Sequence, residues 1–104
     1  MVLNSIVVLH LHNPKEKVWG ELVALNAAGI TIRGVNLNFF EELLRAAASG
    51  DETAALSTGF YPMHRVEHMS VDESRPGAPS LADRFQRRLG VSVQEFFRLE
   101  DAEQ

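Results

Sequence analysis

Four histidines are the first residues whose spacing could do chemistry, and they fall into two pairs. His10 and His12 stand two apart, which puts both imidazoles on one face of a strand. His64 and His68 stand four apart around the start of another. Neutral imidazoles at such spacings can ligate zinc or nickel, with Glu67 or Asp72 as an oxygen donor. This makes His10, His12 and His68 the weak metal candidates. With no third anchoring motif, the plainer reading is exposed strand residues without a shared role, and no metal is expected. The second chemical run is Phe60-Tyr61-Pro62-Met63-His64-Arg65. Tyr61, His64 and Arg65 could face a pocket, stacking on a base or pairing with a phosphate or carboxylate. The structural alternative makes Phe60 and Met63 core, Pro62 a turn and Arg65 a surface ion-pair partner. A strand edge presenting this run is also a site for pairing with another subunit, so Phe60 and Tyr61 are the interface candidates.

Other chemistry is thinner. No cysteine is present, which excludes disulfides, thiolate metal sites and cysteine nucleophiles. Ser57 and Thr58 precede Gly59 without a G-x-S-x-G context, and neither phosphate-binding glycine pattern occurs. Glu41 and Glu42 read as solvated carboxylates on a helix. The chain is therefore not expected to be an enzyme, and no cofactor is expected.

These residues must be positioned by a small fold. The 104 residues are enough for one domain, with 45% hydrophobic and 23% charged residues and a formal charge of −4. A mildly acidic balance lacks the basic footprint of a dedicated nucleic-acid binder. No signal-peptide pattern and no apolar run of membrane-spanning length is seen, so a cytoplasmic protein without membrane association is expected.

Val7 to His12, Val18 to Leu25 and Ile30 to Leu37 read as three short strands joined by polar turns. The first turn is Asn13-Pro14-Lys15-Glu16-Lys17 and the second Asn26-Ala27-Ala28-Gly29. Val7, Leu9 and Leu11 share one face of the first strand. Gly20 and Gly34 sit inside strands, where glycine signals a bend or a close backbone approach. At Asn38 the period changes to that of a helix, with Asn38 as cap, Glu41 completing a capping box, and Phe39, Phe40, Leu43, Leu44 and Ala47 as apolar stripe. Gly50 is its stop. Residues 51–58 read as a loop. Phe60-Tyr61 open a fourth strand that Pro62 cuts, and Val66 to Asp72 form a fifth. Ser80 with Asp83 and Ser92 with Glu95 start two closing helices separated by Gly90.

Val7-x-Leu9-x-Leu11, Trp19-Gly20-x-Leu22-x-x-Leu25-Asn26, Ala28-Gly29-Ile30-x-Ile32 and Phe60-Tyr61-Pro62-x-x-x-Val66-x-x-Met69 together resemble the Sm-like small barrel, the SH3-type roll of Sm, LSm and Hfq proteins. The resemblance covers about half of the chain. It implies a mainly β fold: a five-stranded barrel over residues 5–37 and 58–73, an inserted helix at 38–49 and a helical appendage at 80–100. It also implies rings built by pairing of the fourth and fifth strands of neighbouring copies, with loops that bind single-stranded RNA. On that view Tyr61, His64, Arg65 and Arg33 would be the ligand-binding residues. The family's Asp-x-x-Met-Asn segment has no counterpart in the third strand, and Ile32-Arg33-Gly34 lies in that strand rather than at the family's second motif.

Phe85 to Phe96 also resembles the tail of an AraC-type helix-turn-helix domain, over a dozen residues. The segment 74–104 carries five basic and five acidic side chains, so DNA is not an expected partner. The sequence therefore predicts a self-associating, non-catalytic interaction module, with Trp19 and Phe40 as further exposed aromatics. The expected partners are other copies of the chain or another protein. The alternative is a ring that binds single-stranded RNA.

Overall fold

The computed structural model describes residues 2–50 and 56–102. Five strands form one antiparallel sheet: β1 (Ile6–Leu11), β2 (Glu16–Asn26), β3 (Gly29–Asn36), β4 (Ser57–Pro62) and β5 (Val66–Val71). Their order is β4-β3-β2-β1-β5, so β1 is the neighbour of β5, and β4 and β5 end the sheet. Three helices accompany it: α1 (Phe40–Ala48), α2 (Leu81–Leu89) and α3 (Val93–Ala102). No helix among the described residues is long and apolar enough to cross a membrane. The chain gathers into two compact units, Met1–Phe40 with Leu56–Val71, and Glu41–Ala55 with Asp72–Gln104.

The first unit is built on the alternation in β1. Val7, Leu9 and Leu11 are buried and join Val18, Leu22, Ile30 and Ile32 in one core, with Tyr61, Val66 and Met69 packed against it. Each such apolar side chain taken fully out of water contributes about 1.5–3 kcal/mol. β2 and β3 are held in register through Gly20 opposite Gly34. A Cβ on Gly20 would lie 2.7 Å from the Cα of Gly34, so glycine here serves close backbone approach, as its place inside a strand suggested. The turn between them is closed by Asn26, whose Oδ1 accepts from the Ala28 and Gly29 amides at 2.9 and 3.3 Å.

Several boundaries differ from the sequence reading. Glu16 and Lys17 belong to β2, not to the turn before it. β3 gives way at Leu37 to a 3-10 turn, Leu37–Phe39, capped by the Asn36 side chain, which accepts from the Asn38 amide. Asn36 therefore takes the capping role expected of Asn38. The 3-10 turn also rotates Phe39 out of the helical stripe, and it is 55% exposed while Phe40, Leu43 and Leu44 are buried. Trp19 and Phe40, expected as exposed aromatics, are both buried and meet edge to face at 5.0 Å. The chain leaving β3 brings Phe40 onto the face of β2 that carries Trp19.

β4 begins at Ser57, because Ser57, Thr58 and Gly59 pair with Gly34, Arg33 and Ile32. Of the loop expected at 51–58, residues 51–55 lie outside the described residues. Pro62 ends β4 as expected, and a 3-10 turn, Met63–Arg65, leads into β5.

In the second unit α1 ends before Gly50, which has φ 73°. α2 starts as expected at Ser80, whose Oγ accepts from the Asp83 amide at 2.9 Å, and ends at Gly90 with φ 76°. Ser92 caps α3 through the Glu95 amide. Arg84 of α2 is ion-paired with Glu41 of α1. Phe85 and Phe96 join α2 to α3, with ring centroids 5.1 Å apart.

Candidate functional site

The segment from Phe60 to Arg65 sits where β4 turns into β5. Phe60 lies opposite Thr31 and Tyr61 opposite Ile30, so successive side chains take opposite faces of the sheet. Tyr61 reaches the core face, where burial, and then the Glu16 carboxylate, push its phenol above the ordinary tyrosine range; Arg65 pulls the other way. Phe60 is on the other face and 55% exposed, and Met63 is exposed as well. The structural alternative that made both of them core is therefore corrected. The strand parity that turns Tyr61 toward the core turns Phe60 outward, and Met63 is carried on the 3-10 turn, its amide donating to the Ala28 carbonyl at 2.9 Å.

Arg65 is a clamp. Its Nη2 donates to the Glu16 Oε1 at 2.7 Å and to the Pro14 carbonyl at 3.0 Å, and its Nε to the His12 carbonyl at 3.4 Å. The Arg65 carbonyl accepts from the His12 amide at 2.9 Å. The two charged side chains are only 20% and 30% exposed, so this ion pair is less screened than an ordinary surface pair. Glu16 completes its contacts by accepting from the Asn36 side chain at 3.3 Å. No local pattern marks Glu16 as a partner, since 49 residues separate it from Arg65. Only the meeting of β5 with the β1–β2 turn brings them together. Arg33 is a different case: it is 7% exposed, in β3, between Glu21 of β2 and Thr58 of β4.

The histidines separate. His10 and His68 are direct partners across the β1–β5 ladder, and their rings stack at 4.0 Å with an interplanar angle of 17°. His12 meets Arg65 through its backbone, and His64 is exposed on the 3-10 turn. An imidazole nitrogen offers its lone pair in the ring plane, so two nearly parallel rings direct their lone pairs side by side rather than at one ion. Among the described residues no group of three or more His, Cys, Asp or Glu is arranged to hold a metal. His10 is held below the ordinary histidine range by burial first. Next come the neighbouring His68 and Lys17, and Lys15 adds to them, while Glu67 opposes.

The remaining candidate surface is the pair of sheet ends. Among the described residues β4 pairs with β3 alone, over six residue pairs, and β5 with β1 alone, over five. β4, Ser57–Pro62, carries no charged side chain and displays Phe60. The chain matches no protein-family model, no curated protein and no solved structure.

Proposed function

We propose that this protein is a non-catalytic interaction module that self-associates through the two ends of its sheet. The observation that carries the reading is the uncharged end strand β4 with Phe60 exposed on it. An end strand presents backbone donors and acceptors that a further strand can satisfy. Proteins that avoid such pairing place charges, particularly lysine, along the edge. β4 has none, and its Pro62 stands only at the last position. β5 offers a second end of equal length. We further infer that the sheet is of the SH3-type, Sm-like kind. The strand order β4-β3-β2-β1-β5, the 3-10 link between β4 and β5 and the close approach of Gly20 and Gly34 support it.

Size exclusion with light scattering tests the association. At tens of micromolar the chain is expected at a multiple of its single-chain mass. Phe60→Lys is expected to return it to a monomer with unchanged circular dichroism, since Phe60 is exposed and its loss costs the fold little. A monomeric native chain at that concentration would sink the reading. A rise in fluorescence anisotropy of poly-U or poly-A oligonucleotides at low salt would favour the RNA-binding ring instead.

A further inference from the structure

The stacked pair His10–His68 lies on the ladder that, among the described residues, attaches β5 to the sheet. The register of that ladder shifts between His10 and Leu11: His10 faces His68 while Leu11 faces Val66, leaving Glu67 as the extra residue of a bulge. Beyond the bulge, Arg65 fastens the start of β5 to the β1–β2 turn. On the other side, β5 runs on from His68 to a half-exposed Val71. The histidine pair is thus the first cross-strand contact after the bulge.

Its neighbours make it sensitive to charge. His10 is also the direct partner of Lys17 on β2, so Lys17, His10 and His68 form one row across three strands. Lys15 and His12 stand in the turn beside them, His12 just past the end of β1, and the Glu67 carboxylate opposes the lowering of His10. With both imidazoles neutral the rings stack. With both charged, like charges stand directly opposite on neighbouring strands, which opposes pairing.

We propose that His10 and His68 form an acid-operated latch on β5: neutral, the stacked rings hold the end strand onto β1; protonated, they drive the strands apart beyond the bulge. The sign follows from linkage. The His10 value in the folded chain is lowered from 6.5 by burial, His68 and the lysines, so the unfolded or opened strand binds the proton more readily. The stabilisation is complete above pH 6.5. It is lost as pH falls from there to the lowered folded value. On the reading that β5 is one of the assembling ends, the latch would also set assembly by pH. The test is made in the Phe60→Lys background with both histidines native, where the chain is single on that reading, and it stands without it.

The experiment is amide hydrogen exchange of β5 by NMR, corrected for intrinsic exchange, with the histidine ring protons titrated in the same samples. Between about pH 7.5 and about pH 5, protection of those β5 amides between His68 and Val71 that donate to β1 is expected to fall about a few-fold relative to the β2–β3 amides. In His68→Gln the drop is expected to shrink without vanishing, since the burial of His10 and its lysine neighbours remain, and the His10 ring to titrate closer to the ordinary range. His68 is exposed, so this variant keeps the fold. Equal acid loss of protection in β5 and β2–β3 with both histidines native would overturn the latch. So would a β5 drop of the same size in His68→Gln, or a native His10 that titrates at 6.5 or above.

Discussion

A Cβ on Gly34 would meet the Trp19 carbonyl oxygen and lie 2.6 Å from the Cα of Gly20. Backbone on both sides leaves nothing that can rotate away. Gly34→Ala is therefore expected to cost at least the upper end of the ~1–3 kcal/mol typical of overpacking. At Gly59 the nearest atom to an added Cβ is the Tyr61 hydroxyl oxygen at 3.0 Å, the far end of a side chain that can give. Gly59→Ala is expected to stay within about 1 kcal/mol of the parent. Urea unfolding of the two variants checks the contrast, and equal midpoints would show that the β2–β3 approach is looser than described. The glycines at 20 and 34 were legible in the sequence because a residue without a side chain inside an apolar alternation has few other uses. Trp19 was not. It sits between Val18 and Gly20, on the opposite side of β2 from the core residues Val18 and Leu22, so alternation assigns it to solvent. Its burial depends on Phe40, 21 residues on (40 − 19), and on a 3-10 turn that no period announces.

The start of α2 shows the same division one level up. Ser80 was readable as a cap from Asp83 three positions later, and its Oγ does accept from the Asp83 amide. The larger part of the cap is Asp72, whose two oxygens accept from the Leu81 and Ala82 amides at 2.9 and 2.8 Å. Ser74 adds an acceptor for the Ser80 amide at 2.9 Å. A carboxylate on two first-turn amides combines hydrogen bonding with the helix dipole, so Asp72→Ala is expected to cost about 2 kcal/mol against about 1 for Ser80→Ala. Far-UV circular dichroism through a urea titration reads both. A Ser80→Ala variant that loses as much as Asp72→Ala would contradict the assignment of Asp72 as the main cap. The sequence by itself marks Asp72 only as the end of the fifth strand and a possible oxygen donor to a metal. Nothing nearby marks a residue nine positions before a helix as its cap. β4 was half legible for a similar reason. Phe60 and Tyr61 have strand chemistry of their own, whereas Ser57, Thr58 and Gly59 are strand only because β3 offers them partners.

For the molecule as a whole, charge separates the proposed association from its RNA-binding rival. Each chain carries a formal charge of −4, so copies repel at low ionic strength. β4 brings no charge to an assembly, and the cations expected to serve RNA are largely committed: Arg33 is buried and Arg65 is held by Glu16 and two carbonyls. Pairing through backbone bonds and Phe60 gains nothing from ion pairs, whereas screening removes repulsion over a Debye length of about 10 Å at 0.1 M salt and about 3 Å at 1 M. The mass seen by light scattering is therefore expected to hold or rise as salt is raised across that range. Binding to single-stranded RNA runs the other way, since each neutralised phosphate releases counterions and the affinity falls with a slope near −0.7 per contact. An assembly that dissociates with salt would mean that opposite charges hold the copies together. In that case neither uncharged β4 nor Phe60 is the contact, and the acidic surface of one copy must meet a basic patch of the next.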